Sequence, residues 1–128
     1  MTKQQVFIVD DDKFLLDMYA IKFGEHNFDV KTALSGGDAL NQLESGEANP
    51  DVVLLDLVMP GVDGFEVLTK MKEKKMAPKA TVIILSNLGQ KEDINKGLSL
   101  GADGYIVKAS ATPSEVVIKV GSIIKNKK

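Results

Sequence analysis

The stretch Asp51-Val-Val-Leu-Leu-Asp56 decides the fold, because a continuous apolar run stands between two carboxylates. Two more continuous apolar runs are Val6–Val9 and Val82–Leu85. Continuous apolar runs, as opposed to alternating ones, predict strands that are buried on both faces of a parallel sheet. The chain is therefore expected to place helices on both sides of such a sheet.

Two weaker strands and five helices complete the predicted pattern. Phe28-Asp-Val30-Lys-Thr32 alternates in polarity, which predicts an edge strand with one face in water, and a further strand ends at Ile106-Val107. Apolar residues at helical spacing predict helices at residues 12–25, 37–44, 64–75, 90–100 and 113–125. Strict alternation of strands and helices predicts one α/β domain over residues 1–128, a doubly wound (βα)5 sheet with right-handed crossovers.

Three of these helices carry further signals. The first is expected to bury four apolar residues: Phe14, Leu15, Met18 and Ile21. The last begins with a capping box, Thr112-Pro-Ser-Glu115, in which the threonine and the glutamate cap the first turn. Gly97 lies inside the fourth helix, where glycine costs about 1 kcal/mol relative to alanine, so this helix is expected to shift easily.

The composition limits the classes of function. The 128 residues include no cysteine, which rules out a disulfide framework, a thiolate zinc site and a cysteine nucleophile. A protein that binds nucleic acid directly normally carries an excess of positive charge, whereas the net charge of this chain is −2. The apolar runs are far shorter than the roughly 20 residues of a membrane span, and no signal-peptide core is present. We therefore expect a cytoplasmic protein without a membrane partner.

Polar residues follow four of the predicted strands: Asp10-Asp11-Asp12, Asp56, Ser86-Asn87 and Lys108. Each alone has an ordinary structural explanation, and Asp12 in particular suits a helix N-cap. Together they are expected to converge, because ligands bind beyond the carboxyl ends of parallel strands. Carboxylates about 4 Å apart repel by several kcal/mol at an effective dielectric of about 20. Such a cluster therefore predicts a bound cation.

The residue types indicate which cation and which chemistry this edge of the sheet supports. Hard oxygen ligands without histidine or cysteine favour Mg²⁺, which keeps open positions for phosphate oxygens. Lys108 suits a phosphate oxygen as a point charge, and the Ser86 hydroxyl adds one donor. Asp56, a carboxylate expected beside a metal and a lysine, is a candidate nucleophile that would form an aspartyl phosphate.

Four motifs in sequence order carry a family resemblance: Val9-Asp10-Asp11, Asp51-Val-Val-Leu-Leu-Asp56-Leu-Val-Met-Pro-Gly-Val-Asp-Gly64, Val82-Ile-Ile-Leu-Ser86 and Gly101-Ala-Asp-Gly-Tyr-Ile-Val-Lys108. With these motifs, essentially the whole chain resembles the receiver domain of two-component response regulators, of the chemotaxis-regulator-like kind. The resemblance implies a flavodoxin-like sheet with strand order 2-1-3-4-5. It also implies phosphoryl transfer from a histidine kinase or a phosphotransfer protein to an aspartate, with Mg²⁺ as the required cofactor.

The resemblance implies a role for each site residue that matches a motif. Asp56 resembles the phosphoacceptor, and Lys108 resembles the lysine that pairs with the phosphate. Asp11 resembles the direct metal ligand, and Asp10 resembles the acid that holds the metal largely through water. Asp56 and the backbone carbonyl of Val58 complete the implied set of metal ligands.

Two further residues, Ser86 and Tyr105, resemble the family's switch. The implied switch draws the Ser86 hydroxyl toward a phosphoryl group on Asp56 and lets the Tyr105 ring turn inward. The surface around helix 4, strand 5 and helix 5 would then change, and a downstream target protein would bind the changed surface. The implied protein is a signalling domain and not an enzyme, with at most slow self-dephosphorylation.

Two departures from the family pattern lie at the site. Ala109 stands where proline usually follows the lysine, and the sequence leaves open whether the Lys108–Ala109 bond is cis or trans. Asn87 stands where a very small residue is common, so access to Asp56 is expected to be narrower, and the sequence leaves open whether its amide also positions a water molecule. Val58 and Leu88 are apolar, and we expect them to screen a phosphoryl group from water and to prolong its lifetime.

Two alternatives stand beside the signalling receiver. The first is an aspartate-nucleophile phosphohydrolase. Such enzymes resemble one another in a second aspartate two residues after the nucleophile, where this chain has Val58, so poor turnover is expected. The second is a flavodoxin-type binding module. Asp10-Asp11-Asp12 disfavours that module, because three carboxylates repel a phosphate unless a cation intervenes.

Overall fold

The computed structural model describes residues 3–127 and contains one five-stranded sheet. The strands are β1 (Gln5–Val9), β2 (Asp29–Ala33), β3 (Val52–Leu55), β4 (Thr81–Ser86) and β5 (Gly104–Val107). They lie in the order β2-β1-β3-β4-β5, and every neighbouring pair is parallel. The flavodoxin-like α/β fold and its strand order are therefore confirmed, and the alternating strand lies at an edge as predicted.

Five helices and one short 3₁₀ turn follow the strands. They are α1 (Lys13–Glu25), α2 (Gly36–Ser45), α3 (Gly64–Glu73), α4 (Lys91–Ser99), the 3₁₀ turn (Lys108–Ser110) and α5 (Pro113–Asn126). The predicted capping box is present at the start of α5, where the Glu115 N–H donates to Thr112 Oγ1 and the Thr112 N–H donates to Glu115 Oε1. Within residues 3–127, no helix has the length and apolar character that a membrane crossing requires.

The sheet divides the core into two apolar layers, one on each face. Phe7 and Val9 of β1 point into the layer that packs against α2 and α3. Val6 and Ile8 point into the layer beneath α1 and α5. Successive strand residues face opposite sides of a sheet, so a strand that is covered on both sides needs an unbroken apolar run. The continuous runs thus build a two-sided core and bring the carboxyl ends of the strands to one edge.

The buried face of α1 differs from the predicted one. The helix buries Leu16, Tyr19 and Phe23, whereas Phe14 is 73% exposed and Ile21 is 61% exposed. Leu15 packs partly buried against the layer beneath α1 and α5, so the prediction is wrong only in part, for Phe14 and Ile21. It failed there because α1 carries apolar residues around most of its circumference, so the spacing alone favours no single direction. The three buried residues do share one helix face, at positions i, i+3 and i+7.

Close packing explains the glycine in α4. Gly97 is the buried residue of this helix, and a Cβ there would lie 2.4 Å from Ile84 Cδ1 and 3.6 Å from the Tyr105 ring. Lys96 Nζ also lies 4.2 Å from the centroid of the Phe65 ring of α3, at cation–π distance. The glycine therefore allows α4 to approach the sheet closely. That α4 shifts easily, as the sequence predicts, stays a prediction.

Candidate functional site

The carboxyl ends of four strands bring the predicted site residues to one cleft. Four of these residues stand at strand ends: Asp10 after β1, Asp56 after β3, Ser86 at the end of β4 and Lys108 after β5. The full lining of the cleft is Asp10, Asp11, Asp12, Leu15, Asp56, Val58, Ser86, Asn87 and Lys108. The convergence predicted from the strand ends is therefore present in the fold.

Backbone hydrogen bonds that extend the sheet hold the two buried acids in place. The Asp10 N–H donates to the Ala33 carbonyl at 3.1 Å, and the Asp56 N–H donates to the Val9 carbonyl at 3.0 Å. Asp10 Oδ1 also accepts the Asp12 N–H at 2.9 Å. Only 2% of the Asp10 side chain and 7% of the Asp56 side chain are exposed. The two carboxylates are therefore fixed by both backbone and surroundings.

One ammonium group is shared between these two carboxylates. Lys108 Nζ lies 2.7 Å from Asp10 Oδ2 and 3.3 Å from Asp56 Oδ2. Lys108 begins the 3₁₀ turn after β5, and the Lys108–Ala109 peptide bond is trans. The alanine that stands in place of proline therefore does not keep Lys108 from reaching both acids.

Burial and charge act in opposite directions on the titration of the site. Burial raises the pKa of the Asp56 carboxyl above its usual value, and the positive charge of Lys108 offsets part of that rise. For Lys108, burial alone would lower the pKa, but the hydrogen bond to Asp10 and the charges of Asp56 and Asp10 raise it overall. Lys108 is therefore cationic at neutral pH, and its charge supports the ionised form of Asp56.

The acids in the cleft fit a divalent cation. Asp10, Asp11 and Asp56 each offer a carboxylate oxygen, and these oxygens lie within 4.8 Å of one another. Asp11 is exposed while the other two are buried, so the group opens toward solvent on one side. An all-oxygen donor set without histidine or cysteine suits Mg²⁺. Lys108 Nζ lies against two of these carboxylates, those of Asp10 and Asp56. Its one positive charge compensates one of the three negative charges, and a divalent ion would balance the other two.

The two predicted switch residues, Ser86 and Tyr105, both bind the backbone of Leu88. Ser86 Oγ accepts the Leu88 N–H at 3.2 Å, and the Tyr105 hydroxyl donates to the Leu88 carbonyl. The Tyr105 ring packs against one core layer, and burial together with the charge of Asp93 raises the pKa of its hydroxyl. Sequence reasoning missed this connection because every residue type supplies the same backbone groups.

The apolar lining of the cleft differs in part from the prediction. Val58 lines the cleft and is 59% exposed, as expected of a side chain that covers the site. Leu88, the second predicted screen, packs instead against a core layer, so that part of the prediction is wrong. Leu15 lines the cleft in its place, beside Asp12, which caps α1 by accepting the Leu15 N–H at 3.2 Å. The helical spacing of Leu15 in the sequence predicted a core position only.

Comparisons with known sequences assign the chain to a family. A family model described as the response regulator receiver domain matches residues 6–120. The chain is 34% identical to the transcriptional regulatory protein ResD of Bacillus subtilis over 121 residues, which are 94% of this chain and 48% of that protein. The chain thus spans about half the length of the curated relatives it matches.

Two solved structures show the same architecture. The receiver domain of the Francisella response regulator 1452 has a TM-score of 0.85 at 32% identity, and the match covers 98% of this chain and 100% of that chain. Response regulator DrrB of Thermotoga maritima has a TM-score of 0.84 at 32% identity, and the match covers 99% of this chain and 55% of that chain. Because the family model also covers most of the chain, this protein belongs to the response regulator receiver domain family.

Proposed function

We propose that residues 1–128 act as one phosphorylation-activated signalling receiver, in which Asp56 accepts a phosphoryl group beside a bound Mg²⁺ ion. The donor would be a histidine kinase or a phosphotransfer protein of the cytoplasm. One observation carries the proposal. The buried Asp56 carboxylate has Lys108 Nζ 3.3 Å away, and the oxygens of Asp10 and Asp11 lie within 4.8 Å. Like charges around a buried acid disfavour its ionised form, so this cluster indicates selection for chemistry rather than for stability.

In the proposed step, a carboxylate oxygen of Asp56 attacks the phosphorus of a phosphohistidine. A P–O bond forms to Asp56 while the P–N bond to the donor imidazole breaks, and an imidazole nitrogen takes up a proton. Mg²⁺ held by Asp10, Asp11, Asp56 and the Val58 carbonyl would supply positive charge to the phosphoryl oxygens. Lys108 supplies the positive charge that the chain itself brings to those oxygens.

Lys108 would change partners during this step. In the structure its Nζ lies closer to Asp10 than to Asp56, at 2.7 Å against 3.3 Å. A cation held by Asp10 would weaken the attraction of that carboxylate for Lys108. Lys108 would then turn toward a phosphoryl oxygen on Asp56. The same ammonium group would thus compensate the acids before phosphorylation and the phosphoryl group after it.

The cleft favours a stored phosphoryl group over rapid turnover. The residue two positions after Asp56 is Val58, which lines the cleft and can neither donate nor accept a proton. A phosphohydrolase of the alternative kind would need a general acid at that position. We therefore propose slow self-dephosphorylation and retain the signalling function over the enzymatic one.

Metal dependence tests the proposed function in the wild-type protein. Incubation with a small phosphodonor such as acetyl phosphate is expected to add one phosphoryl group when Mg²⁺ is present. In excess chelator the adduct is expected to fall by at least about a hundredfold, because the charge of the phosphoryl oxygens is then opposed by Lys108 alone. Intact-mass spectrometry measures both conditions. Equal adduct formation with and without Mg²⁺ would contradict the proposal.

We further propose that the signal leaves through the surface of α4, β5 and α5, where a downstream target protein would bind. Tyr105 of β5 already packs against the core and bonds to the Leu88 carbonyl. Phosphorylation would therefore stabilise this placement by drawing Ser86 toward the phosphoryl group, as a shift between existing states of the protein.

Ser86→Ala tests this coupling. The variant lacks the hydroxyl whose oxygen accepts the Leu88 N–H and which would also donate to the phosphoryl group. The coupling between Asp56 and Tyr105 is therefore expected to weaken by about 1–3 kcal/mol. NMR chemical shifts of Tyr105 before and after phosphorylation measure the coupling. Ser45→Ala, an exposed serine of α2, serves as the control and should respond as the wild type does. A wild-type response in Ser86→Ala would show that the coupling takes another route.

Val58→Asn tests the proposed lifetime of the phosphoryl group. An amide at this exposed position of the cleft would orient a water molecule that valine only screens, so the adduct is expected to decay about tenfold faster. The decay is followed by mass spectrometry after the donor is removed. Ile118→Asn changes a similarly exposed apolar residue on α5, away from the cleft, and should leave the decay unchanged. The proposal fails if both variants decay at the wild-type rate.

A further inference from the structure

The first residue of α3 lies directly against the backbone of Asp56. A Cβ atom at Gly64 would be 2.2 Å from the Asp56 carbonyl oxygen, 2.9 Å from its carbon and 2.7 Å from Leu57 Cα. All three atoms belong to the backbone, so no side chain can move aside to make room. The Gly64 N–H also donates to the Leu57 carbonyl at 2.9 Å. Glycine is therefore required here for space.

Neither α3 nor the Asp56 backbone can move away from this contact without breaking other interactions. On the helix side, Asp63 caps α3 by accepting the Glu66 N–H at 2.9 Å, and Val67 and Leu68 are buried in the core. On the strand side, the Asp56 N–H is bound to the Val9 carbonyl at 3.0 Å. A side chain at position 64 would thus have to displace the segment that carries the Asp56 carboxylate.

We infer that Gly64 is a positioning residue for the phosphoacceptor. The absence of a side chain seats α3 on the Asp56–Leu57 peptide, and this contact sets how far the Asp56 carboxylate extends toward Lys108 and Asp10. The same contact fixes the start of the loop whose next residue, Val58, lines the cleft. The inference rests on the proposed function of Asp56 and assigns a role in that function to a residue that touches neither metal nor phosphate.

Gly36 provides a matched control. It is also the buried first residue of a helix, α2, and a Cβ there would lie 2.3 Å from the Val62 carbonyl oxygen. The closest approach is similar to that at Gly64 and is again to a backbone oxygen, but Val62 lies at the far end of the loop from Asp56. A Cβ at Gly37, the next residue of α2, would meet no other part of residues 3–127 within 4 Å, so this position serves as the open control.

Three alanine variants test the inference: Gly64→Ala, Gly36→Ala and Gly37→Ala. Urea unfolding, the Mg²⁺ dissociation constant from an NMR titration and the initial rate of adduct formation are measured for each. Both clashing variants are expected to lose stability, whereas Gly37→Ala is not. Only Gly64→Ala is expected to bind Mg²⁺ at least about tenfold more weakly and to form adduct about a hundredfold more slowly, since small displacements of a reacting group have effects of that order.

The outcomes separate this inference from the proposed function. Wild-type Mg²⁺ affinity in folded Gly64→Ala, or equal losses of affinity in Gly64→Ala and Gly36→Ala, would overturn the positioning role. A wild-type protein that forms no adduct would instead overturn the proposed function. If Gly64→Ala does not fold, the Mg²⁺ titration of the wild type decides: its Gly64 amide resonance should shift and its Gly36 resonance should not. An unshifted Gly64 resonance would overturn the inference.

Discussion

Lys108→Met is expected to lower the free energy of unfolding of the metal-free protein by about 3 kcal/mol and to tighten Mg²⁺ binding by about tenfold or more. The lysine side chain is only 8% exposed and compensates both Asp10 and Asp56. Without it, two buried carboxylates repel each other at short range, which destabilises the metal-free fold. The same change removes the cation that competes with Mg²⁺ for Asp10. The stability of the metal-free protein is therefore expected to fall while its affinity for Mg²⁺ rises.

Urea unfolding with chelator or with Mg²⁺ measures both effects in one series. Mg²⁺ is expected to restore most of the stability that Lys108→Met loses, because the ion takes over the compensation of the acids. Lys79→Met removes an exposed lysine that lies 3.4 Å from Asp51, and it should change stability by less than about 1 kcal/mol under both conditions. If Lys108→Met bound Mg²⁺ more weakly than the wild type, the proposed competition for Asp10 would be refuted.

Asp56→Asn is expected to raise the stability of the metal-free protein by about 1 kcal/mol while abolishing phosphorylation. Burial raises the pKa of Asp56, which means that the folded protein disfavours its charged form more than water does. An amide has the same shape without the charge, and its oxygen still accepts a hydrogen bond from Lys108. Stability and function are therefore expected to change in opposite directions at this residue.

Asp51→Asn is the matched control, since Asp51 precedes the strand that Asp56 follows. Asp51 Oδ2 accepts the Gln5 N–H at 2.8 Å, and Oδ1 lies 3.4 Å from Lys79 Nζ. Its carboxylate is thus well paired, and its replacement should destabilise the protein. Thermal or urea unfolding compares the two variants at one pH. A loss of stability in Asp56→Asn as large as that in Asp51→Asn would mean that Asp56 serves the fold rather than the chemistry.

The sequence predicted the sheet well because burial on both faces leaves a distinct pattern. A strand such as β3 has no polar face, so Val52–Leu55 is continuous and its end is marked by Asp56. The buried face of α1 was not predictable in the same way. Apolar residues surround that helix, and only its packing on the sheet selects Leu16, Tyr19 and Phe23 over Phe14.

The site was predictable to the extent that it consists of side chains at strand ends. Asp10, Asp56 and Lys108 follow strands, and parallel strands bring such residues together. The features that escaped prediction depend on backbone: the bonds to Leu88, and the space that Gly64 leaves beside the Asp56 carbonyl. In each feature one partner is a backbone group, which every residue supplies, so the sequence alone does not indicate which residue that partner belongs to.

Phosphorylation of Asp56 is the central claim, and intact-mass measurement of the wild type and Asp56→Asn tests it most directly. Both proteins are incubated with acetyl phosphate and Mg²⁺ under the same conditions, after unfolding curves have shown that both are folded. The account predicts one phosphoryl group on the wild type and none on Asp56→Asn. An adduct that forms on Asp56→Asn to the same extent as on the wild type would contradict the account.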